Sequence, residues 1–295
     1  MSTAKEGEKK GTAAAQSIAP TSIVPVPKGQ LPANLLDAYK DVIAGSQQDA
    51  AAMTRADFSM PFLGVVQSNS PQRDKQHAKF IQGAEEGDIF NTVTNELFKG
   101  TVAVIPVRYE MVFNVWRPRD LGGGFLGSFP VQEDAVKAAI GFIMTELNDV
   151  KDEAVAREIA LRRDKTGWVR DTMNQYVIAQ SNDGSWAPAL LSLTSTKLTP
   201  GRKWNTFIQM RKPSAGRAIV RWNDVWSVVT VQQKNDDGVF YNLKVPEPAG
   251  ETTVEQWKAA ADFFSVLKSG IVKVEYEKAA GEEDTPVDDG KGAKF

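Results

Sequence analysis

The sixteen residues Thr101–Trp116, TVAVIPVRYEMVFNVW, decide how the rest of the chain is read. β-Branched and aromatic side chains dominate them, which is the composition of a pleated, half-buried strand. Pro106 has no amide hydrogen to give to a ladder, so it belongs at a sheet edge or a bulge, and the strand is long enough to bend. In extended chain, Tyr109, Met111, Phe113 and Val115 share one face, while Arg108, Glu110, Val112, Asn114 and Trp116 share the other. One of these faces is expected to be core.

Working outward from this strand, the chain alternates turn formers with short apolar clusters. Residues 60–99 carry Met60, Phe62, Leu63, Val65, Val66, Phe80, Ile81, Ile89 and Phe90 between turns such as Ser70-Pro71 and Glu86-Gly87-Asp88, the texture of short strands. Before them, Leu35, Leu36, Tyr39, Val42 and Ile43 fall at helical spacing ahead of Gly45. Residues 1–30, rich in Ala, Ser, Thr, Pro, Gly and Lys, read as a disordered arm. Beyond the strand, Gly122-Gly123-Gly124 opens a loop. Residues 133–148 then place Val136, Ala139, Ile140, Ile143, Met144 and Leu147 on one helical face, and a second helix is expected over 151–163. Strands Trp168–Gln180 and Ala187–Ser195 flank the hairpin signal Asn182-Asp183-Gly184. A helix over 199–211 has Thr199 as N-cap and Pro200 at its first position. Strands over Ala218–Gln233 and Val239–Val245 flank Asn235-Asp236-Asp237-Gly238. Thr252 and Glu255 form a capping box for a helix to Lys268, and Ile271–Tyr276 reads as a last short strand. Two strand groups around a helical insertion near 133–163, without a strand–helix–strand rhythm, predict an α+β fold built as a small curved barrel. The division is a core over 31–276 between the N-terminal arm and a flexible tail over 277–295.

Composition narrows the chemistry. The 295 residues include no cysteine and one histidine, His77, which excludes disulfides, thiolate zinc sites, cysteine nucleophiles and multi-histidine metal centres. No cofactor is implied, and no carboxylate pair stands beside a base or nucleophile, so the chain is not expected to be an enzyme. The net charge is −2, no apolar run approaches the roughly 20 residues of a membrane span, and the charged first ten residues lack a secretory core. A soluble, intracellular protein without a membrane partner is expected.

Charge is unevenly spread. From Trp186 to Asn235, eight cations (Lys197, Arg202, Lys203, Arg211, Lys212, Arg217, Arg221 and Lys234) stand against one acid, Asp224, a balance of +7. Interleaved with them are Trp186, Trp204, Phe207, Trp222 and Trp226. Cations that track phosphates beside flat rings that stack on bases are the parts of a single-stranded nucleic-acid groove; the alternative is a solvated charged face, with at least one of Trp222 and Trp226 in the core. The end of the long strand repeats the chemistry with Arg108, Trp116, Arg117 and Arg119. Candidate phosphate contacts are Arg108, Arg117, Arg119, Lys197, Arg202, Lys203, Arg211, Lys212 and Arg221, and candidate stacking rings are Trp116, Trp186 and Trp204. The helix start at Pro200-Gly201-Arg202-Lys203 adds amide hydrogens that favour phosphate. The Gly122–Ser128 loop lacks the lysine of a phosphate-binding loop, and the Asn235–Gly238 turn lacks calcium-ligand spacing.

The tail over 277–295 has six acids against three lysines, Gly and Pro, and a terminal Phe295, so it cannot fold alone. A solubility tail is one reading of it. The β-rich core, cationic aromatic stretch and acidic end resemble phage-type single-stranded DNA-binding proteins built on the OB-fold. The phrases MPFLGVVQSNSPQ (60–72), GAEEGDIFNTVTNELFKG (83–100) and WRPRDLGGGF (116–125) also look like segments of phage proteins encoded near replication genes. The resemblance implies an OB-like barrel, sequence-independent binding of single-stranded DNA in phage replication or recombination, and the cytoplasm of an infected bacterium as the setting. It also implies that Glu282, Glu283, Asp284, Asp288, Asp289 and Phe295 recruit phage replication proteins, although Lys291 and Lys294 dilute the acidity beside Phe295. The rival readings are a virion structural protein, capsid or tail, whose arm and strands make subunit contacts, and a magnesium-dependent enzyme acting on nucleic acid.

Overall fold

The β-branched run does form one strand with the bounds the sequence indicates. The computed structural model describes residues 59–269 apart from Lys165, Asp236 and Asp237, together with Val274 and Tyr276. The expected N-terminal arm and first helix, the last strand except for Val274 and Tyr276, and the acidic tail with Glu282, Glu283, Asp284, Asp288, Asp289 and Phe295 lie outside the described residues. In chain order the elements are β1 (Leu63–Val65), β2 (Ile89–Asn91), β3 (Leu97–Phe98), β4 (Thr101–Trp116), β5 (Phe125–Phe129), α1 (Gln132–Glu146), α2 (Glu153–Ala160), β6 (Val169–Gln180) and β7 (Trp186–Thr194). Then come α3 (Leu198–Met210), β8 (Asp224–Asn235), β9 (Gly238–Leu243), β10 (Glu247–Glu251) and α4 (Val254–Lys268).

The architecture is α+β. β1, β2 and β3 form a three-stranded antiparallel sheet, and the other seven strands form a second sheet along the path β10-β8-β4-β6-β7, with β5 added to β4 and β9 to β8. β4 pairs with β6 over Val104–Val115, and its other edge is shared by β8 at the start (Thr101–Val104) and β5 at the end (Phe113–Trp116). The register shifts between Pro106 and Arg108, so the proline sits at a bulge that spares it a ladder bond. Among the described residues neither sheet closes into a barrel, which corrects the OB-like barrel expected from the sequence: β10 and β7, the ends of the path, do not pair with each other.

Both faces of the large sheet are covered, and β6 is buried without a break from Thr172 to Ala179. On one face, Leu63, Val65 and Ile89 of the small sheet and Trp204 of α3 pack against Val104, Met173, Val177, Leu191 and Val228. On the other, Ala260, Phe263 and Leu267 of α4 pack against Ile105, Val107, Ile178 and Leu190. α1 and α2 close a third cluster with Val115, Trp168 and Val169. At roughly 1.5–3 kcal/mol for each fully buried aliphatic or phenyl side chain, this two-sided burial is the main force on the fold.

Local chemistry explains where the elements depart from expectation. α2 is shorter than 151–163 because Asp152 caps it, accepting from the amides of Ala154 and Val155 at 2.7 and 3.3 Å. α3 begins at Leu198, running on from a 3₁₀ turn over Ser195–Lys197, so Thr199 lies inside the helix and caps nothing. β8 begins only at Asp224, because Arg221–Asn223 forms a 3₁₀ turn with Trp222 at a kink. The capping box of α4 is one residue later than the sequence suggested. Thr253 Oγ1 accepts from the Gln256 amide at 3.3 Å, and Gln256 Oε1 accepts from the Thr253 amide at 2.8 Å. Thr252 is instead buried, donating to the carbonyls of Trp222 and Asn223.

The α4-side face also holds a polar group. Asn174, Asn114 and Tyr276 are buried together, with Asn174 Nδ2 donating to the Tyr276 hydroxyl. Burial pushes the Tyr276 phenol up to about 12, and burial beside Glu110 raises Tyr176 further still. The unfolded chain releases these protons near pH 10 while the folded chain keeps them, so stability is unaffected below pH 10 and falls as pH rises toward 12. Tyr276→Phe is expected to lower stability at neutral pH by about 1–2 kcal/mol, through the acceptor lost to Asn174. It should also make the alkaline loss shallower; urea melts across this range check both, and an alkaline slope equal to that of the parent would contradict the burial of this phenol.

Candidate nucleic-acid interface

α3 turns Arg202 and Lys203 of the acid-free basic stretch to solvent, and its inner face explains why. Leu198, Pro200, Gly201, Trp204 and Ile208 follow helical spacing and face the sheet. A Cβ on Gly201 would come within 2.7 Å of Met173 Sδ and 2.8 Å of Leu193 Cδ1, so a larger residue would have to displace both side chains for the helix to rest this closely on β6 and β7. Trp204 is 1% exposed and meets Trp226 edge-on at 6.2 Å. Seating that stripe leaves Arg202, Lys203 and Thr206 outside, with Phe207 47% exposed and Met210 72% exposed.

From Ser195 to Val220 the chain has six cations and no acid. Two of them are engaged locally. Arg211 forks onto Asp224 at 2.8 and 3.2 Å, and that carboxylate raises its pKa. Arg217 donates to the Thr252 carbonyl at 2.9 Å and lies 3.6 Å from Glu251. Lys197, Arg202, Lys203 and Lys212 form no ion pair among the described residues.

The first turns of α3 and the β8–β9 hairpin enclose a groove of about 470 Å³, with Thr196, Thr199, Lys203, Gln233, Asn242 and Lys244 on its walls. Val231 opposes Asn242 and Gln233 opposes Phe240, so these four share the hairpin face that meets the groove. Asn242 is buried and fixed, donating to Gln233 Oε1 at 3.0 Å while its Oδ1 accepts from the Leu243 amide at 2.8 Å. Among the described residues no carboxylate lines the groove; Lys244 is paired to Glu247, at 2.8 Å, outside it. Cations over a floor of amides and hydroxyls are chemistry for an anion, and the half-buried Phe240 beside them is an aromatic the sequence reading did not single out.

The remaining candidates do not join this groove. Arg117 forks onto Glu146 at 2.7 and 2.8 Å, and that carboxylate raises its pKa. Trp116 packs on Phe125 at 5.0 Å, and Arg119 is exposed in a 3₁₀ turn beyond it. Arg108 stands opposite Tyr176 on the α4-side face, donates to the Leu267 carbonyl at 3.0 Å and lies 3.6 Å from Glu110. Trp186 is half-buried against that same cluster. Arg211 and Lys212 lie at the far end of α3, about 20 Å from its start at 1.5 Å per residue. Arg221 is largely enclosed between β4, β6 and α3. The stacking role expected of Trp204 is corrected, since its ring is in the core, as are those of Trp222 and Trp226. One signal in the sequence marked this: Leu198, Gly201, Trp204 and Ile208 repeat at three and four residues, which turns Lys203 and Phe207 outward.

No curated protein and no solved structure matches the chain. A family model described as Pam3 phage gp34-like protein matches residues 28–273.

Trp204→Ala is expected to cost about 3–5 kcal/mol of unfolding free energy. Lys203→Ala, one residue away on the solvent side, is expected to stay within about 0.5 kcal/mol of the parent. Equal, small effects in urea melts would contradict the seating of α3.

Proposed function

The chain belongs to the Pam3 phage gp34-like protein family, and from that premise we propose that it binds single-stranded DNA without sequence preference during phage replication or recombination. The observation that carries this is the acid-free run of six cations over 195–220, four of them left unpaired among the described residues: Arg202 and Lys203 on the solvent side of α3 and Lys197 and Lys212 just beyond its two ends, beside a groove that no described carboxylate lines. Lys197, Arg202 and Lys203 take phosphates at the groove, and Arg211 and Lys212 extend the track along α3. Phe207 and Phe240 replace the buried Trp204 as surfaces for bases. The chain acts as a binder rather than a catalyst, inside the infected host. Its acidic tail, with Glu282 to Asp289 and Phe295, recruits replication partners.

A second reading, a virion component, draws on a different observation. Met210 is 72% exposed and Ile219 86% exposed, apolar area that a contact between subunits would cover. Among the described residues, no helix is long and apolar enough to cross a membrane.

The test is fluorescence anisotropy of an end-labelled oligothymidylate across a salt series, with a duplex of equal length as control. Binding should favour the single strand and weaken with salt by about 0.7 log units per log unit for each phosphate neutralised. The double variant Arg202→Ala/Lys203→Ala should reduce that slope by about 1.4. No binding at low salt, or an unchanged slope in the double variant, would overturn the assignment, and large particles by light scattering in the same samples would favour the virion reading.

A further inference from the structure

Arg221 is treated unlike the arginines of this fold that pair with a carboxylate at the surface. Arg211 has Asp224, Arg117 has Glu146 and Arg157 has Glu133. Arg221, in the 3₁₀ turn ahead of β8, reaches between β6, α3 and β4 and, among the described residues, meets only neutral groups. Its Nη2 donates to Gln175 Oε1 at 2.9 Å and to Asn205 Oδ1 at 3.0 Å. Gln175 is fully buried and its own amide donates to Asn205 Oδ1 at 2.9 Å, which fixes both carbonyl oxygens toward the guanidinium. Nε is buried with no hydrogen-bond partner. Burial lowers the Arg221 pKa to about 10, so it remains a cation at neutral pH.

Two amide dipoles orient this charge but do not cancel it. Sequestering a guanidinium without a carboxylate is costly unless an anion completes the site. Tyr109 lies beside it, with its ring centroid 6.0 Å from Arg221 Cζ and the residue 38% exposed, and Arg221 itself is half-buried rather than fully covered. With Nη2 committed to Gln175 and Asn205 and Nε buried, the two Nη1 hydrogens are the donors left beside the aromatic rim, and a phosphate oxygen suits them because its double charge draws most from an uncancelled cation in a low-dielectric setting.

We propose that Arg221, oriented by Gln175 and Asn205 and rimmed by Tyr109, is a receptor for a phosphate group entering from solvent, either as the free anion or as the terminal phosphate of a nucleotide. The site is separate from the α3 groove and does not depend on strand binding there. Isothermal titration calorimetry of the full chain with inorganic phosphate, thymidine 5′-monophosphate and thymidine, at constant ionic strength, tests it. Phosphate and the monophosphate should bind with one site per chain, and thymidine should not. Arg221→Gln should weaken both at least tenfold, while Lys203→Ala leaves them unchanged. Should Arg221→Gln fail to fold, Arg221→Lys keeps the charge without the Nη1 donors and should also weaken both. The monophosphate binding tighter than phosphate, with that advantage lost in Tyr109→Ala, identifies the nucleotide as the source; equal affinities identify the free anion. Absence of binding, or binding undiminished in the Arg221 variants, would overturn the proposal. Because Lys203→Ala affects only the groove, loss of strand binding with phosphate binding intact separates the two assignments.

Discussion

The rest of the described fold depends on β4 serving three partners at once. Its Val104–Val115 ladder with β6 supplies the centre of the large sheet, while its opposite edge takes β8 at one end and β5 at the other. A strand with both edges used at different heights needs a change of direction between them, and the bulge at Pro106 supplies it. The bulge also sets side-chain parity. Val107 and Arg108 both turn to the α4 face, so Tyr109, Met111 and Phe113 return to the face that carries α3 and α1. A strand of the same composition without the extra residue would place Arg108 among the apolar contacts of the small sheet.

What the sequence disclosed follows from how local each signal is. The limits of β4 and the face of α1 were legible because β-branched density and helical spacing are properties of a short window, and Gly184 marked the β6–β7 hairpin through the positive φ it adopts. The box on α4 was misplaced by one residue because Thr252 and Thr253 offer the same hydroxyl; only the tertiary bond of Thr252 to the Trp222 carbonyl decides between them. β10, Glu247–Glu251, carries no alternation at all and exists because β8 offers it an edge, which no local window contains. The open sheet was illegible for the same reason: closure is decided by whether two strands distant in sequence, β7 and β10, meet.

The candidate interface was half legible. A run of cations without acids is visible in any window, but which rings accompany it on the surface depends on how α3 seats. Gly201 against Met173 and Leu193, and Trp204 against Trp226, fix the rotation of the helix about its axis. That rotation sends the largest ring inward and turns Lys203, Phe207 and Met210, spaced by four and three residues, outward. Packing therefore chooses the exposed chemistry. An indole in a basic stretch is a weak guide to stacking when the same stretch must also build core.

Screening then limits how far the scattered cations act together. At physiological ionic strength, exposed charges separated by more than about 8 Å are largely independent. Arg108 is on the opposite face of the sheet and Arg117 is neutralised by Glu146, so neither adds appreciably to the potential at the groove. Arg221 differs in kind, since burial shields its charge from salt while two neutral amides leave it uncancelled. The fold thus separates two electrostatic regimes only a few residues apart in α3. Lys203 belongs to a wet, salt-sensitive rim, whereas Asn205 supports a cation in a drier setting whose strength changes little with salt. A polyanion would feel the first from a distance and the second only on contact.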